Sequence, residues 1–202
     1  DAMPSVGRKF LLAGKGGLNL THAEPVEAFV ARFGERSDAV SSWLQHFGAE
    51  QVRAWAQGLG VDTFVGSSGR VFPAEMKAAP LLRAWLHRLR HAQKPVQFHM
   101  RHRWVGGVGA GIGDQGLVFE SPRGPLQVQA KSVVLALGGA SWSRLGSDGA
   151  WVPRLHAQGV GVAPLLPSNC GFDVMGRVGQ GWTSYFAEKF AGQAFKTGAM
   201  QW

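Results

Sequence analysis

The 202 residues include one cysteine, Cys170, so the chain can form no internal disulfide and no cysteine-ligated zinc site. A thiol with no partner suits a reducing compartment, and the cytoplasm is the expected location. No stretch approaches the roughly 18 consecutive apolar residues that cross a bilayer, and Asp1 opens neither a charged nor an apolar leader, so no membrane association is expected. The catalytic punctuation of several enzyme classes is missing too. There is no HExxH, no GxSxG elbow and no GxxxxGK[ST], and the seven histidines have no metal-ligand spacing. No metal site is expected. His22, His46 and His156 read as structural or surface groups, and Cys170 as a buried thiol.

Acids are scarce relative to bases, with 13 Asp and Glu against 21 Lys and Arg, giving a net charge of +8. The imbalance is local. Between Glu75 and Asp114 stand Lys77, Arg83, Arg88, Arg90, Lys94, Arg101 and Arg103 with no acid among them. This 76–113 cluster is either a solvated helix face or an anion-binding surface, and the second reading makes the chain a basic nucleic-acid-binding module.

What is abundant is glycine, 29 residues, within a chain that is 45% hydrophobic with a mean hydropathy of −0.04, as for a globular protein. Residues 9–20 (KFLLAGKGGLNL) read as a glycine-rich loop. Three short amphipathic helices follow over about 21–60. The first is capped by a Thr21…Glu24 box, the second starts from a Ser37 cap with Val40, Trp43, Leu44 and Phe47 on one face, and the third carries Val52, Trp55, Ala56 and Leu59. Their tryptophans are expected in the core. A strand at 62–65 and a turn at 66–69 precede a longer helix with Leu82, Trp85, Leu86 and Leu89 inward. Short strands at 96–100, 101–107, 117–121 and 126–130 read as an antiparallel meander. The unbroken apolar run Ser132 to Leu137 has the character of a strand covered on both faces, as in a parallel sheet, and Gly138-Gly139 ends it. A helix over 149–159 comes next, and Pro164 and Pro167 mark a boundary. Asp148 is a candidate helix cap or ribose ligand.

Three segments in order carry a family resemblance. Gly7-Arg8-Lys9-Phe10-Leu11-Leu12-Ala13-Gly14-Lys15-Gly16-Gly17-Leu18-Asn19-Leu20-Thr21-His22 resembles the GRK-x-L-x-(S/A)-G-x-G-(R/G)-x-N-x-T-(N/H) signature of a bacterial FAD-dependent oxidoreductase family, the NAD(P)/FAD-dependent or aminoacetone oxidase-like flavoproteins. Ser68-Gly69-Arg70-Val71-Phe72-Pro73 resembles a second family segment. Val134 to Ser141 with Gly146-Ser147-Asp148-Gly149 resembles a third.

The resemblance implies an α/β fold: part of an FAD-binding, Rossmann-like domain of the two-dinucleotide-binding type over 1–164, with a helical insert and the meander, and over 165–202 the beginning of a β-rich substrate domain. It implies an FAD-dependent oxidoreductase of unknown small-molecule substrate, with NAD(P)H as a candidate reductant and no nucleic-acid partner. It also implies an internal piece, truncated at both ends, with the first βαβ unit upstream of Asp1; the 202 residues alone are then expected to bind FAD weakly or not at all. The FAD contacts carried over are Asp1 for the ribose, Arg8 and Lys9 toward adenosine and phosphate, and Ala13, Gly14, Gly16, Gly17, Leu18 and Asn19 from pyrophosphate to flavin. Ala136, Gly138 and Gly139 join them, and the meander around Val105 would lie against the adenine. Gly17-Leu18 stands where many members have Arg-Cys, so no role of those two side chains transfers. No catalytic acid or base is assigned.

Overall fold

A computed structural model of the protein describes residues 1–107, 116–167 and 181–191. The chain forms two compact units, Asp1–Ala163 and Pro164–Trp202. Cys170, Gly192 and Gln193 lie outside the described residues.

In the first unit, helix α1 (Arg8–Ala13) opens the fold after Gly7, whose φ of 72° is left-handed. The expected loop over 9–20 is therefore part helix. Arg, Lys, Leu, Leu and Ala favour helix, and the glycines act only from the end cap, Gly14, onward. Strand β1 (Thr21–His22) pairs antiparallel with β3 (Arg70–Pro73), which pairs antiparallel with β2 (Thr63–Val65), so the sheet order is β1-β3-β2. Thr21 is thus a strand residue and not a helix cap. Glu24 precedes Pro25, which disfavours helical backbone, and α2 (Val26–Ala31) begins only after that proline. The Glu24 carboxylate accepts from Arg32 at 2.8 Å instead.

Helices α3 (Ser37–His46) and α4 (Ala49–Gln57) complete the helical stretch. Ser37 is the first helical residue and not the cap; its hydroxyl donates back to the Gly34 carbonyl. Trp43, expected in the core, is 68% exposed, because α2 and α3 pack on each other and leave that face uncovered. The core lies deeper, where Leu18, Ala56, Ala78 and Leu81 meet Phe10, Leu20, Trp55 and Val61. Helix α5 (Ala78–Arg90) supplies its centre: Pro80 is tolerated in the first turn, and Ala78, Leu81 and Leu82 form the buried stripe. Trp55 meets Trp85 edge to face at 5.2 Å, which ties α4 to α5. His87, Arg88 and Arg90 stand in the last turn of α5, where positive charge complements the helix dipole.

The meander is a second antiparallel sheet of β4 (Arg103–Gly107), β5 (Leu117–Ser121) and β6 (Gly124–Val128), in sequence order. A bulge between Trp104 and Gly106 shifts the β4–β5 register. Residues 96–100 form no strand. Val96 N–H caps the Leu89 carbonyl, and the next residues turn to pair with the start of the chain, where Arg101 N–H donates to Met3 and His102 N–H to Asp1. The apolar run 132–137 forms no strand and joins no ladder among the described residues either, and Val134 is 89% exposed. Helix α6 (Trp151–His156) is shorter than the expected 149–159.

In the second unit the described residues include helix α7 (Ser184–Phe190), started by Thr183, whose hydroxyl accepts from Phe186 N–H at 3.3 Å. Trp182, Phe186 and Phe190 stack along it at 4.6 and 4.7 Å. No helix among the described residues is long and apolar enough to cross a membrane.

Candidate functional site

The first unit holds a groove of about 540 Å³, within the range of small-molecule and cofactor sites. Its walls come from four distant stretches: Asp1 with Ala2 and Lys9; His102 to Trp104 with Leu117 and Phe119; Val133 to Gly138; and Leu145 to Asp148 with Ala150, Trp151 and Arg154. Turn geometry fixes the last two. Gly138 at φ 75° bends the chain, its carbonyl accepting from the Trp151 indole at 3.0 Å, and the next carbonyl, of Gly139, accepts from Gly149 N–H at 3.2 Å. Trp142 and Ser147 exchange backbone hydrogen bonds at 3.0 Å, closing the loop between them around a short 3-10 turn at Ser143–Leu145.

Charge in the groove is largely committed. Asp148 accepts from Arg103 at 3.2 Å and from Ala150 N–H at 3.1 Å. These contacts, the Ala150 N–H first, hold its carboxyl below the usual carboxylate range. Asp148 does not cap α6 as expected: the N-cap is Ala150, with no side-chain cap, and the Asp148 carboxylate closes a local turn just ahead of it by accepting from Ala150 N–H. Because the folded value lies below the unfolded one, the stabilisation is present above the ordinary carboxylate pKa and is lost as pH falls through the lowered folded value. Asp148→Ala is expected to lower stability by about 1 kcal/mol at neutral pH, the size of a half-exposed pair plus one hydrogen bond to the backbone. In thermal melts the gap to wild type should close in acid; an equal gap at every pH would contradict this assignment.

Arg154 donates to the Val105 carbonyl at 2.7 Å, fixing the bulge, so Val105 acts through its backbone while Trp104 beside it lines the groove. Asp1 accepts from Met3 N–H at 2.8 Å through its carboxylate. Lys9 donates to Ser141 Oγ at 2.7 Å and to Ser147 Oγ at 3.2 Å.

Of the residues expected to bind ligand, Asp1, Lys9, Ala136 and Gly138 meet in this groove. Arg8, Ala13, Gly14, Gly16, Gly17, Leu18, Asn19, Val105 and Gly139 are outside its lining. Leu18 is 4% exposed in the core, and its N–H donates to the Met76 carbonyl at 3.0 Å. A Cβ on Gly14 would fall 2.4 Å from Ala78 Cβ, and one on Gly17 2.6 Å from Met76 Cε, so these glycines permit close packing. Asn19 and Gly16 are at the surface. Trp104, Phe119 and Arg154 were not legible as site residues, although Trp104 and Phe119 are direct cross-strand partners and the meander pattern alone places such pairs on one face.

The basic cluster is less coherent than its sequence. Arg103 is paired with Asp148 and Arg90 lies over the Phe98 ring at 5.4 Å, while Arg83, Arg88 and Lys94 are exposed. Among the described residues no group of three or more His, Cys, Asp or Glu is placed to hold a metal ion.

The family model described as the HI0933-like protein Rossmann domain matches residues 1–194. The 3-dehydro-bile acid delta(4,6)-reductase of Clostridium scindens is 26% identical over 164 residues, which are 81% of this chain and 38% of that protein. The chain thus spans well under half the length of that relative.

Proposed function

The chain belongs to the HI0933-like protein Rossmann-domain family, and on that premise we propose that it is the cofactor-binding part of a flavin-dependent oxidoreductase, with FAD as the flavin and a small molecule as substrate. One observation carries the reading: the groove gathers Lys9, Ala136 with Gly138, and Ser147 with Asp148, which come from two of the three segments that resemble flavoproteins and are separated by more than a hundred residues of sequence. The donor set fits such a cofactor. Lys9, Arg103 and Arg154 outnumber Asp1 and Asp148, and the aromatic Trp104 and Phe119 offer a flat apolar wall. Asp1, Lys9, Ala136 and Gly138 are the residues that would hold FAD. The bound flavin would supply the hydride chemistry, and the chain would bind, orient and shield it.

The similar protein is by name a 3-dehydro-bile acid delta(4,6)-reductase, which makes reduction of a double bond in a small molecule one candidate reaction; NAD(P)H is the candidate reductant, and the cytoplasm the proposed location. The residues after Pro164 are then the opening of a substrate-binding domain. The test is the intact gene product purified without added cofactor. Visible flavin absorbance, and FAD identified after denaturation, are expected; protein that is colourless and stays so after incubation with FAD would overturn the proposal.

A further inference from the structure

We propose that the cavity between α4 and β2 is a binding site for an α-amino acid. It goes beyond the flavin reading, since none of the residues lining it lines the groove. Glu50, Arg53, Ala54 and Gln57 recur at i, i+3, i+4 and i+7, which sets them on one side of α4, while Trp55 and Ala56 turn toward the core. Gly60, at φ 75°, reverses the chain, and Asp62 and Thr63 at the entry to β2 complete a cavity of about 370 Å³. That volume suits a small molecule.

The charges in this cavity are fixed in place and incompletely matched. Arg53 Nε donates to Thr63 Oγ1 at 3.2 Å and Nη1 to Glu50 Oε1 at 3.4 Å, which orients the guanidinium. A guanidinium has five N–H donors, so three are left, spread over Nη1 and Nη2. The Arg53 side chain is 35% exposed, so this cation is partly drawn out of water. Asp62 lines the same cavity, yet its carboxylate makes no ion pair among the described residues. Opposite charges thus border one space beyond ion-pair distance of each other.

A ligand that carries both signs on neighbouring atoms closes that gap. In an α-amino acid, carboxylate and ammonium flank a single carbon. The carboxylate matches the unused guanidinium N–H groups, and the ammonium, with three donors and no acceptor, matches Asp62, the second oxygen of Glu50 and the Gln57 carbonyl. A simple anion would meet the two carboxylates and a simple cation would meet Arg53, so each is opposed by a group that the zwitterion satisfies. Ala54 is the one apolar residue in the lining, which favours a small or hydroxylated side chain.

The experiment is an amide NMR titration of the full chain with L-serine and with two fragments that each lack one of its charges: ethanolamine, without the carboxylate, and 3-hydroxypropionate, without the ammonium. Saturable shifts are expected within residues 50–63, with L-serine at least about tenfold tighter than either fragment, the size of one charge-assisted hydrogen bond. Asp62→Asn should erase most of the preference over 3-hydroxypropionate, and Arg53→Gln most of the preference over ethanolamine. The Asp62 carboxylate pairs with nothing in the fold, so Asp62→Asn decides the matter if Arg53→Gln fails to fold. The outcome does not depend on whether the chain takes up FAD. No saturable shift with L-serine, shifts centred outside 50–63, equal affinity for L-serine and either fragment, or an Asp62→Asn variant that keeps the wild-type preference over 3-hydroxypropionate would overturn the site.

Discussion

Leu81→Ala is expected to cost about 2–5 kcal/mol, the range for removing a fully buried leucine whose surroundings cannot collapse into the space. Leu81 is 0% exposed in the first turn of α5, in one cluster with Leu18, Ala56 and Ala78. Three layers close on it, with α1 on one side of α5, α4 held through Trp55 and Trp85, and the segment after Gly17 threaded beneath. Denaturant unfolding measures the effect, and Leu11→Ala is the control: Leu11 lies on α1 at 43% exposure, outside the core cluster, and should change stability by less than about 1 kcal/mol. Equal costs for the two would mean that the core is not where the structure places it. Because α1 carries Lys9 into the groove, Leu81→Ala should also weaken ligand binding from a position that touches no ligand.

Gly14→Val should be nearly as damaging, by the opposite mechanism. A Cβ at Gly14 meets Ala78 Cβ at 2.4 Å and Ala78 N at 2.9 Å, and the second of these is backbone that cannot rotate away. Accommodating a branched side chain requires α1 and α5 to separate, and overpacking of this kind costs about 1–3 kcal/mol or more. Two residues along, a Cβ on Gly16 meets nothing within 4 Å, so Gly16→Val should be close to neutral in a thermal melt. The contrast separates two meanings of a glycine-rich segment. If Gly14 served only to let a ligand approach, its replacement would abolish binding and leave the melt unchanged. The structure instead expects the melt to fall with no ligand present.

The same pair shows why the sequence was legible in some places and not in others. Elements whose partners are close in the chain were readable: β5 and β6 pair across a two-residue turn, and the α5 stripe repeats with the helical period. The groove was half readable, because glycine after an apolar run marks a sharp exit at Gly138, and the motif supplied Lys9. Gly14 and Leu18 carry the same motif but face the other way, and no property of a glycine or leucine reveals which side of a six-residue helix its neighbourhood packs against. Arg154 and Trp104 were hidden because their place depends on contacts across dozens of residues, as in the hydrogen bond from Arg154 to Val105. The run 132–137 was read by composition alone, but a strand also needs a neighbour with which to exchange hydrogen bonds, and composition does not supply one.

The hydrogen bond between Lys9 and Ser141 spans 132 residues of sequence. The β5–β6 hairpin, by contrast, closes over a two-residue turn, and α5 forms within a single run of chain. Chain entropy lost on closing a loop grows with its length, so contacts of short span form early in folding and those of longest span form last. The groove is therefore expected to mature after both sheets, and in the native state to open through partial unfolding that leaves the α5 core closed. A ligand that bridges the two ends of so long a loop would act as the final fold-completing contact, and its binding would slow amide exchange most strongly in residues 138–148.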